Sequence, residues 1–76
     1  MKTRFIQAFG SRILASSVVA VIAEREGCFF SVIVQYIAGK ECKSISSFYD
    51  IWSDAVKAAG TIADEVDKVL LSGEEQ

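Results

Sequence analysis

Val18–Tyr36 reads VVAVIAEREGCFFSVIVQY, two apolar runs around one charged island, Glu24-Arg25-Glu26-Gly27. Either the island is the turn of a β-hairpin or the stretch is a broken membrane segment. A spanning helix needs about 20 consecutive apolar residues. Ile13–Ala23 supplies 11 positions, Cys28–Val34 is shorter still, and three consecutive charges separate the two runs, so neither spans. A secretory signal is the better rival. Lys2 and Arg4 would form its basic start, Ile13–Ala23 its apolar core and Val21-Ile22-Ala23 its cleavage site. Arg12 and the long opening RFIQAFGSR weigh against it.

A hairpin explains more. Val18–Ala23 and Phe29–Ile37 are rich in Val, Ile and aromatic residues, which fit a pleated, half-buried surface. Gly27 supplies the positive φ that a tight hairpin turn demands. Strand alternation puts Phe30, Val32, Val34 and Tyr36 on one face. The other face takes Phe29, Ile33 and Ile37, with Ser31 and Gln35 between them. Both faces are therefore partly apolar: one is expected to meet a helix, the other a second copy or a target.

Outward from the hairpin, Ala38-Gly39-Lys40 predicts a second turn and Glu41–Ser46 a short polar third strand, whose Glu41 and Lys43 suit an exposed edge. On the N-terminal side, Thr3–Phe9 reads as another strand ending at Gly10-Ser11, with a helical turn as the alternative. After residue 46 the period changes. Phe48, Trp52, Ala55, Ala59, Ile62, Val66 and Val69 recur at steps of four and three, one face of an α-helix. Ser47 with Asp50 resembles a capping box, and Thr61 with Asp64 could cap a second helix after Gly60. The expected fold is α+β: a three- to four-stranded antiparallel meander over residues 3–46. It is followed over 47–71 by one long helix kinked near Gly60, or two short ones, packed on one sheet face, with 72–76 a flexible tail.

The chain has 76 residues, the size of one small domain of limited stability. Its 51% hydrophobic content is too high for a disordered chain. There is no histidine, which removes the commonest general base and zinc ligand, and two cysteines cannot close a structural zinc site. Cys28 and Cys42 fall about 23 Å apart along the predicted strands, beyond disulfide reach, so both thiols are expected reduced, as in a cytoplasmic protein. No nucleophile–histidine pair, G-x-G-x-x-G or P-loop is present. An enzyme is not expected, and neither a metal nor any other cofactor is. The net charge of −2 divides unevenly, +3 over residues 1–46 and −5 over 47–76, a split that can mark a partner-binding face.

Several stretches carry a family resemblance. They are the MK…FI opening (Met1, Lys2, Phe5, Ile6), the apolar strand ending in EREG at Glu24–Gly27, the next ending in AGK at Ala38–Lys40, and KSISSFYDIW at Lys43–Trp52 leading into an acidic helix. In this order the chain resembles small phage anti-CRISPR proteins, in particular the first-described inhibitors of type I-F CRISPR systems. The resemblance implies a four-stranded antiparallel sheet with two helices. It also implies a non-enzymatic inhibitor that binds a protein subunit of a type I surveillance complex in the host cytoplasm and blocks target DNA. The family's binding face uses aromatic and acidic residues on the sheet, although Gln35 stands here where an acid would be expected.

Two surfaces are candidates for that contact. The sheet and its turns offer Glu24, Arg25, Glu26, Gln35, Tyr36, Lys40 and Glu41. The helix offers Asp50, Asp54, Asp64 and Glu65, where positions four apart rise about 6 Å along the axis, close to the phosphate spacing of one DNA strand, so an acidic face could imitate DNA. Two rivals stay open. One is a nucleic-acid-binding sheet using Arg4, Arg12, Arg25, Lys40 and Lys43 with Phe29 or Tyr36 for stacking, against an acidic pI of about 4.9. The other is a regulatory homodimer formed through the spare apolar sheet face. Neither a membrane nor direct nucleic-acid contact is expected of the favoured inhibitor.

Overall fold

A computed structural model describes residues 5–74. The elements run β1 (Phe5–Ala8), β2 (Ser11–Leu14), a 3-10 turn (Ala15–Ser17), β3 (Val18–Glu26), β4 (Phe29–Ala38), β5 (Glu41–Tyr49) and α1 (Trp52–Glu74). They form an α+β fold: a β1-β2 hairpin, a separate three-stranded antiparallel sheet in the order β3-β4-β5, and one long helix.

Turn chemistry sets the strand boundaries. Gly27 (φ 63) and Gly39 (φ 66) each occupy the first of two loop positions, between the Glu26↔Phe29 and Ala38↔Glu41 pairs, and no residue follows them into positive φ. That is the type II′ pattern, whose twist matches the flanking strands. The β1-β2 turn differs. Phe9 (φ 53) and Gly10 (φ 82) are both left-handed, as type I′ requires. A left-handed Phe is disfavoured by roughly 1–2 kcal/mol, and here its ring packs against the core, which offsets that strain.

The register runs unbroken from Ala20↔Gln35 to Glu26↔Phe29 and from Phe30↔Tyr49 to Ala38↔Glu41, with one irregularity between Val18 and Ala20. It fixes two faces. The inner face carries Val21 and Ala23 from β3, Phe30, Val32, Val34 and Tyr36 from β4, and Ile45 and Tyr49 from β5; Val32 and Val34 are fully buried there. Helix α1 lays Ala55, Ile62 and Val66 on this face, with Ala58, Ala59 and Val69 partly covered. Ile6, Ala8, Ile13 and Ala15 from the β1-β2 hairpin and the 3-10 turn complete the same cluster. Ser17 Oγ ties that turn down by donating to Leu14 O at 2.7 Å.

Four details depart from the pattern of the sequence. The chain makes two strands before Ala15, since Ser11–Leu14 pairs back on Phe5–Ala8; Thr3 and Arg4 lie outside the described residues. The third strand continues to Tyr49 because β4 offers ladder partners along its whole length, and Ser47, paired with Val32, is in no position to cap a helix. The helix starts instead at a bend over Asp50-Ile51, where the Asp54 and Ala55 amides both donate to Ile51 O at 3.1 Å. It then runs without a break through Gly60 to Glu74, so no second helix is capped, and Thr61 Oγ1 donates back to Lys57 O at 2.9 Å within it.

Gly60 is therefore an exposed glycine in a helix interior, held by the packing of Ala55, Ile62 and Val66 on either side. A Cβ there meets nothing within 4 Å. Gly60→Ala should stabilise the fold by about 0.5–1 kcal/mol, read as a rise in the denaturant midpoint at unchanged slope.

Candidate protein-binding face

The inner face of the sheet is closed by α1. The outer face has no such cover among the described residues. Alternation and register place Ala20, Ile22, Glu24 and Glu26 of β3 there, beside Phe29, Ser31, Ile33, Gln35 and Ile37 of β4 and Cys42, Ser44, Ser46 and Phe48 of β5. Phe48 is 65% exposed, Phe29 52% and Ile37 44%. Ile22 and Ile33, paired side by side, are half-buried between them. These apolar residues share one sheet face and are not scattered singly over the surface.

Polar groups are arranged by position along the strands. Glu24 and Glu26 stand at the β3-β4 turn end, and Arg25 Nε donates to Gly27 O at 3.3 Å, bracing that turn. Lys40 sits in the β4-β5 turn at the far end. Level with Glu24, Ser31 is 2% exposed, flanked across the ladder by Glu24 and Phe48, and its Oγ has no hydrogen-bond partner among the described residues. A buried hydroxyl left unpaired costs about 1–3 kcal/mol.

The sheet candidates do not form one cluster. Glu24, Glu26 and Gln35 share the outer face, whereas Arg25, Tyr36 and Glu41 alternate to the helix side and Lys40 caps the opposite end. The outer-face carboxylates stand beside the apolar Phe29, Ile33, Ile37 and Phe48. Phe48 is one of them; its place is on β5 and not in the helix stripe. Among the helical candidates, Asp54, Asp64 and Glu65 lie on α1 and Asp50 on the bend before it, all but the half-buried Glu65 exposed. Lys57 and Lys68 fall three or four positions from them on the same surface, so the acidic band is interrupted by positive charge.

Both cysteines are free and exposed, Cys28 in the first turn of the sheet and Cys42 paired with Ile37 near the other end. Among the described residues no group of three His, Cys, Asp or Glu could hold a metal ion, and no helix is long and apolar enough to cross a membrane. No family model, curated protein or solved structure matches this chain. The class defined by fold and surface is thus a small α+β domain with one covered and one open sheet face.

Proposed function

We propose that this chain is a non-enzymatic binding protein that docks on another protein through the outer face of β3-β4-β5. One observation carries the proposal: Phe29, Ile37 and Phe48 are about half or more exposed on a single sheet face that also holds Ile22 and Ile33. The carboxylates of Glu24 and Glu26 at one end suit a target whose apolar patch adjoins basic groups. Protein surfaces that hold nucleic acid are basic. Together with the resemblance of EREG, AGK and KSISSFYDIW to phage inhibitors, this makes a subunit of a type I CRISPR effector, in the host cytoplasm, the target to test first. Occupying such a surface would deny it to target DNA. The interrupted charge of α1 favours the sheet over DNA mimicry by the helix. Direct nucleic-acid binding is disfavoured, because Arg12 lies over the Phe5 ring (5.2 Å to its centroid) in the other hairpin and Arg25 is turned from the outer face.

The experiment is expression in bacteria with active type I systems, scored by phage plating and by co-purification of effector subunits. The wild-type chain should restore plating and retain a subunit. Phe29→Ser with Phe48→Ser should weaken capture by more than about 100-fold, the scale of two interface anchors, while remaining folded. Asp54→Lys with Asp64→Lys should behave as wild type. Loss in the helix variant alone would transfer the site to α1. Failure of the wild type against every type I system would reject the CRISPR target.

A further inference from the structure

We propose that in the free protein a second copy of the chain covers this outer face, antiparallel to the first, across a two-fold axis passing over Ile33 and Ile22. The face offers a copy an exposed apolar row: Phe29 is 52% exposed, Ile37 44% and Phe48 65%. Its two ends differ in charge, with Glu24 and Glu26 at one and Lys40 at the other, so a copy turned end for end is complementary to it.

The register fixes which arrangement suits the face. Ile33 is the midpoint of the outer-face row Phe29, Ser31, Ile33, Gln35, Ile37. Turning a second copy end for end about that point sets Phe29 against Ile37, Ile33 against Ile33 and Ile22 against Ile22. It sets Gln35 of one copy opposite Ser31 of the other. It also brings the acidic end, Glu24 and Glu26, toward Lys40 of the other copy. The alternative two-fold, parallel to the strands, would gather all four carboxylates at one end and both Lys40 at the other, and would bring the two Cys28 residues together. Opposite charges meet only in the antiparallel form.

Three strands of about nine residues give a planar footprint of roughly 30 by 14 Å, at the small end of specific interfaces. The dimer is accordingly weak, forming in the micromolar range. Where this face is the docking site for a target, self-association masks it and competes with capture; that consequence rests on the function proposed above, whereas the dimer does not.

Sedimentation of the full chain from low micromolar to millimolar concentration tests it. Reversible dimerisation is expected. Ile33→Asp, which places two carboxylates at the axis, should weaken it by more than about 100-fold, with circular dichroism confirming the fold. Glu26→Lys and Lys40→Glu should each weaken self-association about three- to tenfold, and an equimolar mixture of the two should recover it, because both end contacts then pair opposite charges. A monomer at all concentrations, a dimer indifferent to Ile33→Asp, a mixture no tighter than its components, or rapid Cys28–Cys28 crosslinking would each overturn the arrangement. Target capture by a strictly monomeric wild type would reject the dimer and leave the docking site standing; a dimer that captures no target would do the reverse.

Discussion

Val34→Asp should leave the chain unfolded at room temperature, while Ile33→Asp, one residue earlier on the same strand, should leave it folded. Val34 is fully buried beneath α1, and Ile33 faces the open side of the sheet. At Val34 the change removes about 1.5–3 kcal/mol of apolar burial. It also inserts a carboxyl group that must either stay charged without a partner or take up a proton at a raised pKa, several kcal/mol more. A chain of 76 residues has a total stability of only about 4–11 kcal/mol, so the penalty is of the same size as the whole. At Ile33 the new carboxylate reaches water, and the loss is that of a poor strand former in a half-exposed position, about 1 kcal/mol. Far-ultraviolet circular dichroism with thermal melts distinguishes the two outcomes. Similar melting of both variants would mean that the two sheet faces are alike and that α1 does not define the core.

The alternation behind that contrast is visible in the sequence. FFSVIVQYI already separates Phe30, Val32, Val34 and Tyr36 from Phe29, Ile33 and Ile37, and Gly27 already marks the turn. The extent of β5 is not visible. Its inward positions include Ser47 and its outward ones Ser44 and Ser46, so the local pattern is too polar to announce a nine-residue strand; the partner positions on β4 determine its length. Phe48 and Trp52 stand four apart and mimic the start of a helical stripe, yet a bend at Asp50-Ile51 separates them onto different elements. β2 is hidden for a similar reason. Its turn is Phe-Gly rather than Asn-Gly, and a left-handed Phe is legible only once the core it packs against is known.

The candidate surface was legible in its residues but not in its grouping. Glu24, Arg25 and Glu26 are adjacent in the chain and attract attention as one charged island. The period of two splits them, sending Arg25 to the helix side and leaving the two carboxylates at the rim of an apolar surface. Period alone predicts that split. What it does not predict is that no element of the described residues returns to cover Phe29, Ile33 and Phe48, because the long helix α1 is already used on the other face of the sheet.

Ile62→Ala should cost about 2–5 kcal/mol, the range for truncating a buried aliphatic side chain where the surroundings collapse only partly. At about 4–8 °C per kcal/mol for a domain of this size, the melting temperature should fall by roughly 8–40 °C. Ile62 is 7% exposed near the middle of α1 and belongs to the cluster with Val32, Val34, Ile6 and Ile13, so its removal opens space between the helix and the core β-strands. Trp52 belongs to the same helical stripe by spacing but begins the helix and is 46% exposed. It makes a tilted stack on Phe30, with centroids 5.4 Å apart, worth about 0.5–1.5 kcal/mol beyond its area. Trp52→Ala should therefore lower the melting temperature less than Ile62→Ala despite removing more atoms, and Leu71→Ala, at 62% exposure, should barely move it. The order Ile62, Trp52, Leu71 follows burial, whereas side-chain size would put Trp52 first. Should Trp52→Ala prove the costliest, the helix start would be tucked against the turn end of the sheet more deeply than its exposure allows, and the boundary between the closed and open faces would have to be redrawn at Phe30.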